Sequence, residues 1–430
     1  MSEYQCYDYA ALAATVRLKD ITSSAGNRAI LHRVKNNDPA LEYLYISSPD
    51  NMEDDSNEYV VREGDHLGWL GYFIGENFTL TEMYLHHLPA DIGQAREMFK
   101  GFERNKTITS VDICGDTTVL NEGLSAMNMP HVKSIGFDCQ LERDSAHCFA
   151  LGLRQCKSLK SYFGMLTVEI LTVLSTLPMV KNIIAHVDEA GNNTLGWEGG
   201  VALEQLLRKN KLNHLDLDGI FIGDEGLEVM AAGLVHNESL TECCLSNNNI
   251  SGEGVKALAV ALVDNRSIRM LNLGQNNIGD EGLKALASSL THNQGLRVLN
   301  ISDNNIGDEG LEALANSLTS NRKLRGLYLC NNSIGDTGLL ALTVSLAQNR
   351  ALRAIHLSGN TAITEIGLTA MARALQSRKC KLENICLDRI NIGDGGKVLA
   401  RALSINKSLV SLSLTCGEGM TSQKTQQLPQ

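Results

Sequence analysis

Four arginine side chains recur at a constant interval in the second half of the chain and could bind anions. They are Arg269, Arg297, Arg325 and Arg353. A guanidinium group is planar, always charged and well suited to hydrogen bonding with carboxylates. Neighbouring groups near 5 Å apart repel by roughly 1 kcal/mol even at the dielectric of water. We therefore expect this row to splay apart, to pair with carboxylates such as Asp303 or Glu242, or to meet a protein with an acidic surface.

A second set of side chains stands three residues after each arginine and mixes amides with rings. Its members are Asn272, Asn300, Tyr328 and His356. Aromatic and Arg side chains are enriched in protein interfaces, and Tyr is a frequent energetic anchor there. Both sets together predict a protein-binding surface centred on Tyr328 and His356. A solvated face with no partner is the alternative interpretation.

Motifs for catalysis or metal binding are missing from the sequence. There is no Gly-rich phosphate loop ending in Lys-Ser/Thr, no H-E-x-x-H, no nucleophile elbow and no zinc-ligand spacing. Gly71 and Gly75 in LGWLGYFIGEN fit a packed helix better than a nucleotide site. The eleven cysteines form no CxxC pair, and their odd number argues against complete pairing in an oxidising compartment. We predict no catalytic residue, no cofactor and no metal.

The elements that must position these residues follow from a repeat with a period of 28. Apolar strand starts fall at Leu212, Leu240, Ile268, Leu296, Leu324 and Leu352. One unit reads LRVLNISDNNIGDEGLEALANSLTSNRK from Leu296. Its first apolar positions alternate, which predicts a short strand, and its later ones recur every three to four residues, which predicts a helix. Each repeat is therefore one strand and one helix.

Recurring polar positions within the unit suggest structural roles. A column of Asn248, Asn276, Asn304, Asn332 and Asn360 is expected to satisfy backbone groups in the turns between repeats. Asp280, Asp308 and Asp336 precede the helical runs and are expected to cap their own helices. Asn265, Asn293, Asn321 and Asn349 stand where each helix must stop, in a left-handed conformation that Asn tolerates.

The unit resembles the ribonuclease-inhibitor-like subfamily of leucine-rich-repeat proteins, through L-x-x-L-x-L-x-x-N-x-I from Leu296 to Ile306. That subfamily also occurs in nucleotide-binding innate receptors and in Ran GTPase-activating protein. The resemblance implies an α/β solenoid, a horseshoe with a parallel concave sheet and convex helices.

The organisation along the chain is predicted as one continuous solenoid in four stretches. Residues 1–40 form an N-terminal helical cap, through AALAATVRLKD and NRAILHRVKNN, and 41–211 form irregular repeats with an acidic surface loop near 47–59. Residues 212–416 form the regular repeats, and 417–430 form a polar tail. About fourteen strands are expected in one parallel sheet, on the logic of repeat proteins.

Charge and targeting signals limit the partners and the location. The net charge of −11, from 49 acidic and 38 basic residues, disfavours nucleic acid as a partner. Neither a signal peptide nor a long apolar span is visible in the sequence. We expect a cytoplasmic monomer that binds protein and neither nucleic acid nor membrane.

The predicted function is a non-enzymatic binding scaffold or adaptor, with alternatives from other classes. A GTPase-activating protein for a small Ran-like GTPase is one, but the loops SNNNISGE, GQNNIGDE, SDNNIGDE and CNNSIGDT lack the Arg that this family uses. Arg389 lies near the wrong end, and we assign it no catalytic role. A stand-alone sensor of the innate-receptor type and a binder of actin-filament ends are the others.

Overall fold

The computed structural model describes residues 8–49, 55–62, 64–86, 92–115, 128–138, 143–186, 194–390 and 392–414. By packing, the chain divides into two compact units, Met1–Asn193 and Thr194–Gln430. We call them the N-terminal unit and the C-terminal unit. In each unit, short parallel strands alternate along the chain with helices, which confirms the α/β solenoid expected from the sequence. The polar tail of residues 417–430 lies outside the described residues.

The N-terminal unit has seven strands among its described residues, in the spatial order β2-β1-β3-β4-β5-β6-β7. They are β1 (Tyr43–Ser47), β2 (Glu58–Val60), β3 (Glu82–His86), β4 (Ser110–Cys114), β5 (Ser134–Asp138), β6 (Ser161–Met165) and β7 (Asn182–His186). The helices are α1 (Tyr9–Leu12), α2 (Ala25–Lys35), α3 (Leu67–Glu76), α4 (Ile92–Arg104), α5 (Arg143–Leu153) and α6 (Val168–Thr176). A 3₁₀ helix spans Leu18–Asp20, so AALAATVRLKD contains parts of two short helical segments.

The C-terminal unit is regular, with eight described strands that pair in sequence order. They are β8 (His214–Asp216), β9 (Glu242–Cys244), β10 (Met270–Asn272), β11 (Val298–Asn300), β12 (Gly326–Tyr328), β13 (Ala354–His356), β14 (Asn384–Cys386) and β15 (Ser411–Ser413). The helices are α7 (Gly196–Arg208), α8 (Gly223–Leu234), α9 (Gly252–Asp264), α10 (Gly279–Leu290), α11 (Asp308–Leu318), α12 (Asp336–Leu346), α13 (Glu365–Leu375) and α14 (Gly395–Leu403). No helix in the described part of the chain is long and apolar enough to cross a membrane.

The core of each repeat lies between its strand and its helix. In β11 only the central residue, Leu299, is buried, and Val298 and Asn300 point away from the helices. Leu299, Ile301, Leu314 and Leu318 are fully buried. Burial of one such aliphatic side chain stabilises the fold by about 1.5–3 kcal/mol. The alternation commits one face of the sheet to the core and leaves the other available for binding.

The predicted asparagine column is confirmed as a buried ladder that joins neighbouring repeats. Asn332 shows the pattern, since its Nδ2 donates to three backbone carbonyls at 3.0, 3.1 and 3.2 Å. Its Oδ1 accepts from the backbone N–H groups of Asn304 and Ile306, both at 3.0 Å. One amide therefore hydrogen-bonds to turn groups of two successive repeats. Buried backbone N–H and C=O groups require such partners.

The asparagines at the helix ends form a second ladder, and the left-handed conformation predicted for them is wrong. Asn265 has φ −66° and ψ 125°, which is extended backbone. Its buried side chain donates to the carbonyls of Leu234 and Asn237 and accepts from the N–H of Ile268. The equivalent residues Asn237, Asn293, Asn321 and Asn349 are also buried. In the N-terminal unit, Asn77 and Asn105 repeat this arrangement, so the irregular repeats keep the second ladder.

We predicted that the aspartates at the helix starts cap their own helices, and this prediction is wrong. Each of them instead caps the helix of the next repeat. Asp280 accepts from the backbone N–H of Gly307 at 2.7 Å, and Asp308 accepts from Gly335 at 2.7 Å. Gly307 and Gly335 are the residues that precede α11 and α12. Since the first N–H groups of a helix lack partners within it, each aspartate ties two repeats together.

The strongest of these links is Asp336. It accepts from the backbone N–H of Thr364 at 2.8 Å, the Thr364 hydroxyl at 2.6 Å and the N–H of Gly367 at 2.9 Å. Burial opposes ionisation of Asp336, but the hydrogen bonds from Thr364 and Gly367 together hold its pKa below 3.8. Its stabilising contribution is therefore present above pH 3.8 and is lost as the pH falls through the lower folded-state pKa.

We expect Asp336→Ala to lower the free energy of unfolding by about 1–2 kcal/mol at neutral pH, because three donors lose their acceptor. Urea denaturation at pH 7 and at pH 2.5 measures this, and the difference between variant and parent should shrink at the acidic pH. Glu312→Ala removes a carboxylate from an exposed position of α11 and serves as the matched control. An equal effect of both substitutions would contradict the role of Asp336.

The edge of the N-terminal sheet differs from the prediction. Residues 47–59 were expected to form a surface loop, yet Glu58 begins β2, which pairs in parallel with β1. Residues 50–54 of that segment lie outside the described residues. Asn27 of α2 covers the free edge, since its Nδ2 donates to the carbonyl of Val60 at 2.7 Å and its Oδ1 accepts from the Val60 N–H at 3.1 Å. An exposed strand edge is prone to pairing with other chains, and this side chain occupies it.

Gly71 belongs to a packed helix, as expected. A Cβ atom at Gly71 of α3 would lie 2.5 Å from the Cα of Met98, and one at Gly101 of α4 would lie 1.9 Å from the carbonyl oxygen of Gly71. The two glycines therefore serve the close approach of α3 and α4.

Candidate functional site

The face of the C-terminal sheet that points away from the helices carries the predicted site residues. We call it the C-terminal strand face. In the strand register, Asn272 pairs with Asn300, Asn300 with Tyr328, and Tyr328 with His356. The four side chains form one row across β10 to β13. The structure thus brings together the residues that the sequence period placed in one column.

Tyr328 and His356 form a stacked pair in this row. Their ring centroids are 4.4 Å apart, with an angle of 26° between the ring planes. Gly326 has no side chain, and a Cβ built there would lie 3.5 Å from the Tyr328 ring. Burial lowers the pKa of His356, and the charge of Asp388 partly opposes this shift. The pair is a flat, preorganised and half-buried surface of the kind that anchors protein interfaces.

A shallow depression of about 380 Å³ lies beside the stacked pair. It is lined by His214, Glu242, Cys243, Cys244, Met270, Leu271, Asn272, Val298, Asn300 and Tyr328. Met270 is 45% exposed there, which is high for a large apolar side chain on a sheet. Met adapts its shape readily, so the depression suits a protruding side chain of another protein.

The two asparagines of the row also stabilise the turns after their strands, a role that the sequence did not indicate. The Oδ1 of Asn272 accepts from the backbone N–H of Gly274, and the Oδ1 of Asn300 accepts from that of Ser302, each at 3.0 Å. These bonds fix the turn after each strand. Tyr328 and His356 are therefore better candidates for direct binding than the asparagines.

The arginines form a row at the beginning of the strands. The backbone N–H of Arg297 donates to the carbonyl of Arg269, Arg325 donates to Arg297, and Arg353 donates to Arg325, at 2.7–2.8 Å. Arg353 pairs with Glu383, with 3.1 Å between Nε and Oε1. The predicted carboxylates do not pair with the row, because Glu242 instead contacts His214 at 2.8 Å and Asp303 has no arginine within 4.0 Å among the described residues.

Three members of the row keep their charge unmatched in the described part of the chain. Arg269, Arg297 and Arg325 have no carboxylate oxygen within 4.0 Å there. Burial lowers the pKa of Arg297, and the like charges of Arg269 and Arg325 lower it further. A row of like charges that repel one another is relieved when an anionic surface approaches.

Cys244 and Cys330 carry thiols on or next to this face. Burial raises the pKa of the Cys244 and Cys330 thiols, so neither is an activated thiolate. No cluster of three or more His, Cys, Asp or Glu suited to a metal occurs among the described residues. Arg389 donates to the Oδ1 of Asn331 at 3.3 Å and stays without an assigned catalytic role.

Sequence reasoning missed a group of rings on the N-terminal sheet. Tyr43, Tyr45, Tyr84 and His86 stand at alternate positions of β1 and β3, away from the helices. The alternating tyrosines in YLYIS and the Tyr and His in EMYLH were the available signal. The interval between these two strands is irregular, which hid the fact that the rings share one face.

Comparison with known proteins identifies the class of repeat. Four segments match the model of the Leucine Rich repeat family, namely residues 236–259, 264–287, 292–315 and 320–342. The chain therefore contains leucine-rich repeats, and all four segments lie in the C-terminal unit. No curated protein matches the chain in sequence.

Several solved structures are similar to the chain. The yeast Rad7 and Elc1 complex matches with 15% identity and a TM-score of 0.43, over 97% of this chain and 97% of that chain. The leiomodin-1 actin-binding site 2 matches with 20% identity and a TM-score of 0.31, over 36% of this chain and 88% of that chain. The tropomodulin C-terminal domain of Caenorhabditis elegans matches with 20% identity and a TM-score of 0.31, over 35% and 92%.

Proposed function

We propose that the protein is a non-enzymatic binding scaffold whose C-terminal strand face binds a partner protein with an acidic surface. The observation that carries this proposal is the arginine row, in which Arg269, Arg297 and Arg325 have no carboxylate oxygen within 4.0 Å among the described residues. The chain as a whole has a net charge of −11, so a local row of positive charge does not follow from the overall composition. Like-charge repulsion within it falls when anionic groups bind.

The adjoining residues supply the rest of an interface. The Tyr328–His356 pair offers apolar area with few rotatable bonds, and Met270 lines a depression next to it. Aromatic anchors surrounded by polar groups are the usual pattern of binding energy in protein interfaces. The positive row beside them would orient an acidic partner during encounter.

Three finer points belong to the same proposal. The repeats are of the ribonuclease-inhibitor-like subfamily, which is supported by their constant period. The protein acts as a monomer. It acts in the cytoplasm, and the free thiols Cys156, Cys243, Cys330 and Cys380 support this location.

The proposal is tested by affinity purification with a variant of the strand face. Arg297→Glu, Tyr328→Ala and His356→Ala are combined, and circular dichroism verifies folding. We expect the captured amount of each specific partner to be more than about tenfold lower with the variant than with the parent protein. Anchor residues of an interface each contribute about 2 kcal/mol or more. Quantitative mass spectrometry of the captured proteins measures the change.

A matched control carries the same kinds of substitution on the helix side of the unit. Arg373→Glu, Leu340→Ala and His292→Ala alter exposed residues there. The control should retain the partners. Identical partner lists for the parent and the strand-face variant would move the binding site away from this face and refute the proposal.

A further inference from the structure

The N-terminal sheet carries a compact cluster of rings on the face that points away from the helices. We call Tyr43, Tyr45, Tyr84 and His86 the ring cluster. Tyr45 and Tyr84 stack with 4.4 Å between centroids and 19° between planes, across the pairing of β1 with β3. Tyr43 stands edge-on to both, at 5.9 and 6.4 Å, and His86 stands edge-on to Tyr45 at 5.6 Å. The rings hold one another in a fixed arrangement.

The ring cluster is not part of the core. The intervening residues Leu44, Ile46, Met83 and Leu85 are buried at 0–1% exposure and fill the space toward the helices. All four rings are only partly buried, on the opposite face. Aromatic side chains with one side in water are enriched at protein interfaces.

Carboxylates surround the rings. The Tyr84 hydroxyl donates to Glu82 at 2.8 Å, and the Tyr43 hydroxyl donates to Asp55 at 3.2 Å. Asp112 of β4 is the register partner of Tyr84. The hydrogen bond to Glu82 and burial together raise the pKa of Tyr84 to about 12. The Tyr84 phenol therefore stays neutral at physiological pH.

One cation near the rings pairs with a carboxylate outside the ring cluster. Arg33 is the positive group whose charge reaches Tyr43, and it pairs with Asp38 at 2.6 Å. The ring cluster thus combines aromatic surface with carboxylates, the two groups that a guanidinium contacts best. Arginine stacks on aromatic faces and binds carboxylates through a planar fork, whereas lysine offers a compact, strongly hydrated point charge.

We propose that the ring cluster, with Glu82 and Asp112, binds an arginine-bearing segment of a partner protein. The proposal concerns the N-terminal unit and a basic ligand, so it does not depend on the function proposed for the C-terminal strand face, which favours an acidic one. Glu82 and Asp112 supply the charge, and Tyr45 and Tyr84 supply the surface that selects guanidinium over ammonium.

Nuclear magnetic resonance of the full chain, with ¹³C at the ε carbons of its tyrosines, tests the proposal. The probe is the acetylated and amidated peptide Gly-Arg-Gly-Arg-Gly, and peptides with Lys or Glu in place of Arg are the comparisons. Tyr45→Phe and Tyr84→Phe assign the two resonances. We expect saturable shifts of Tyr45 and Tyr84 with the Arg peptide, weaker binding of the Lys peptide and none of the Glu peptide.

Two resonances and one double variant complete the design. Tyr59 is fully buried and Tyr328 lies in the C-terminal unit, so neither should shift. Glu82→Gln with Asp112→Asn keeps the side-chain shapes, and circular dichroism verifies its folding. It should weaken binding of the Arg peptide about fivefold, as expected for two partly exposed charges. Equal response to the Arg and Glu peptides, no saturable shift, or undiminished binding by the double variant would overturn the proposal.

Discussion

Asn332→Ala is expected to lower the free energy of unfolding by about 3 kcal/mol, the largest stability effect that we predict for a single residue. The backbone N–H groups of Asn304 and Ile306 lose their acceptor, and three carbonyls lose a donor. An unsatisfied buried donor costs about 1–3 kcal/mol, and the lost side-chain volume adds to this cost. Urea denaturation followed by circular dichroism measures the change.

The control is the same substitution at an exposed site. Asn316 lies on the solvent side of α11, so Asn316→Ala should leave stability within about 0.5 kcal/mol of the parent. Because each repeat is stabilised mainly by its neighbours, the loss at Asn332 should also broaden the unfolding transition. Matching stabilities of the two variants would show that the ladder contributes little.

The regular part of the fold could be predicted from sequence because its period is constant. Since the spacing of equivalent positions does not change, the register of Leu271, Leu299 and Leu327 follows directly from the numbering. A one-residue slip would turn every buried leucine toward solvent, so the hydrophobic pattern admits one register. The same argument predicts that Tyr328 lies opposite His356, as the strand register confirms.

The polar positions were harder to assign, because a sequence shows which residue is polar but not which repeat it contacts. Asp308 is the first residue of its own helix, α11, yet its carboxylate accepts a hydrogen bond from the backbone N–H of Gly335 in the next repeat. Asn265 stands at a helix end, where its type suggests a left-handed turn, yet its amide serves a buried ladder. In both cases the partner is supplied by stacking, which local sequence does not encode.

The edge and the ring cluster were missed for a related reason. The first two strand starts, Leu41 and Leu80, are spaced by 39, so the period fails in the first repeats. That extra length contains β2, whose three residues are too few to show alternation. It also hid the pairing of Tyr45 with Tyr84, which only the register establishes. The carboxylate partner of the arginine row was also missed. Arg353 pairs with Glu383, whereas the sequence suggested Asp303 or Glu242.

The two units carry different charged groups on the strand faces that point away from the helices. The arginine row lies at the strand starts of the C-terminal strand face, whereas carboxylates lie beside the ring cluster of the N-terminal unit. The net charge of −11 conceals this difference. Since charge complementarity selects partners and sets association rates, the separate faces suit a scaffold with two different ligands.

Neutralising the arginine row is expected to lower the affinity of the C-terminal strand face for its partner about 100-fold. Arg269→Gln, Arg297→Gln and Arg325→Gln together remove three charges, each of which contributes about 1 kcal/mol toward an acidic surface at low salt. The partner captured by the parent protein is the ligand, and calorimetry at 50 mM and 300 mM NaCl measures its Kd. Binding of the partner by the parent should weaken strongly as the salt concentration rises, and binding by the variant only slightly, because salt screens charges near the surface.

The charge change is controlled on the helix side. Lys256→Gln, Lys284→Gln and Arg373→Gln remove the same total charge, and the two lysines already pair with Glu253 and Glu281. A general effect of net charge would weaken both triple variants alike, whereas a specific contact weakens only the strand-face variant. If the parent and the strand-face variant showed the same salt dependence, the row would lie outside the interface.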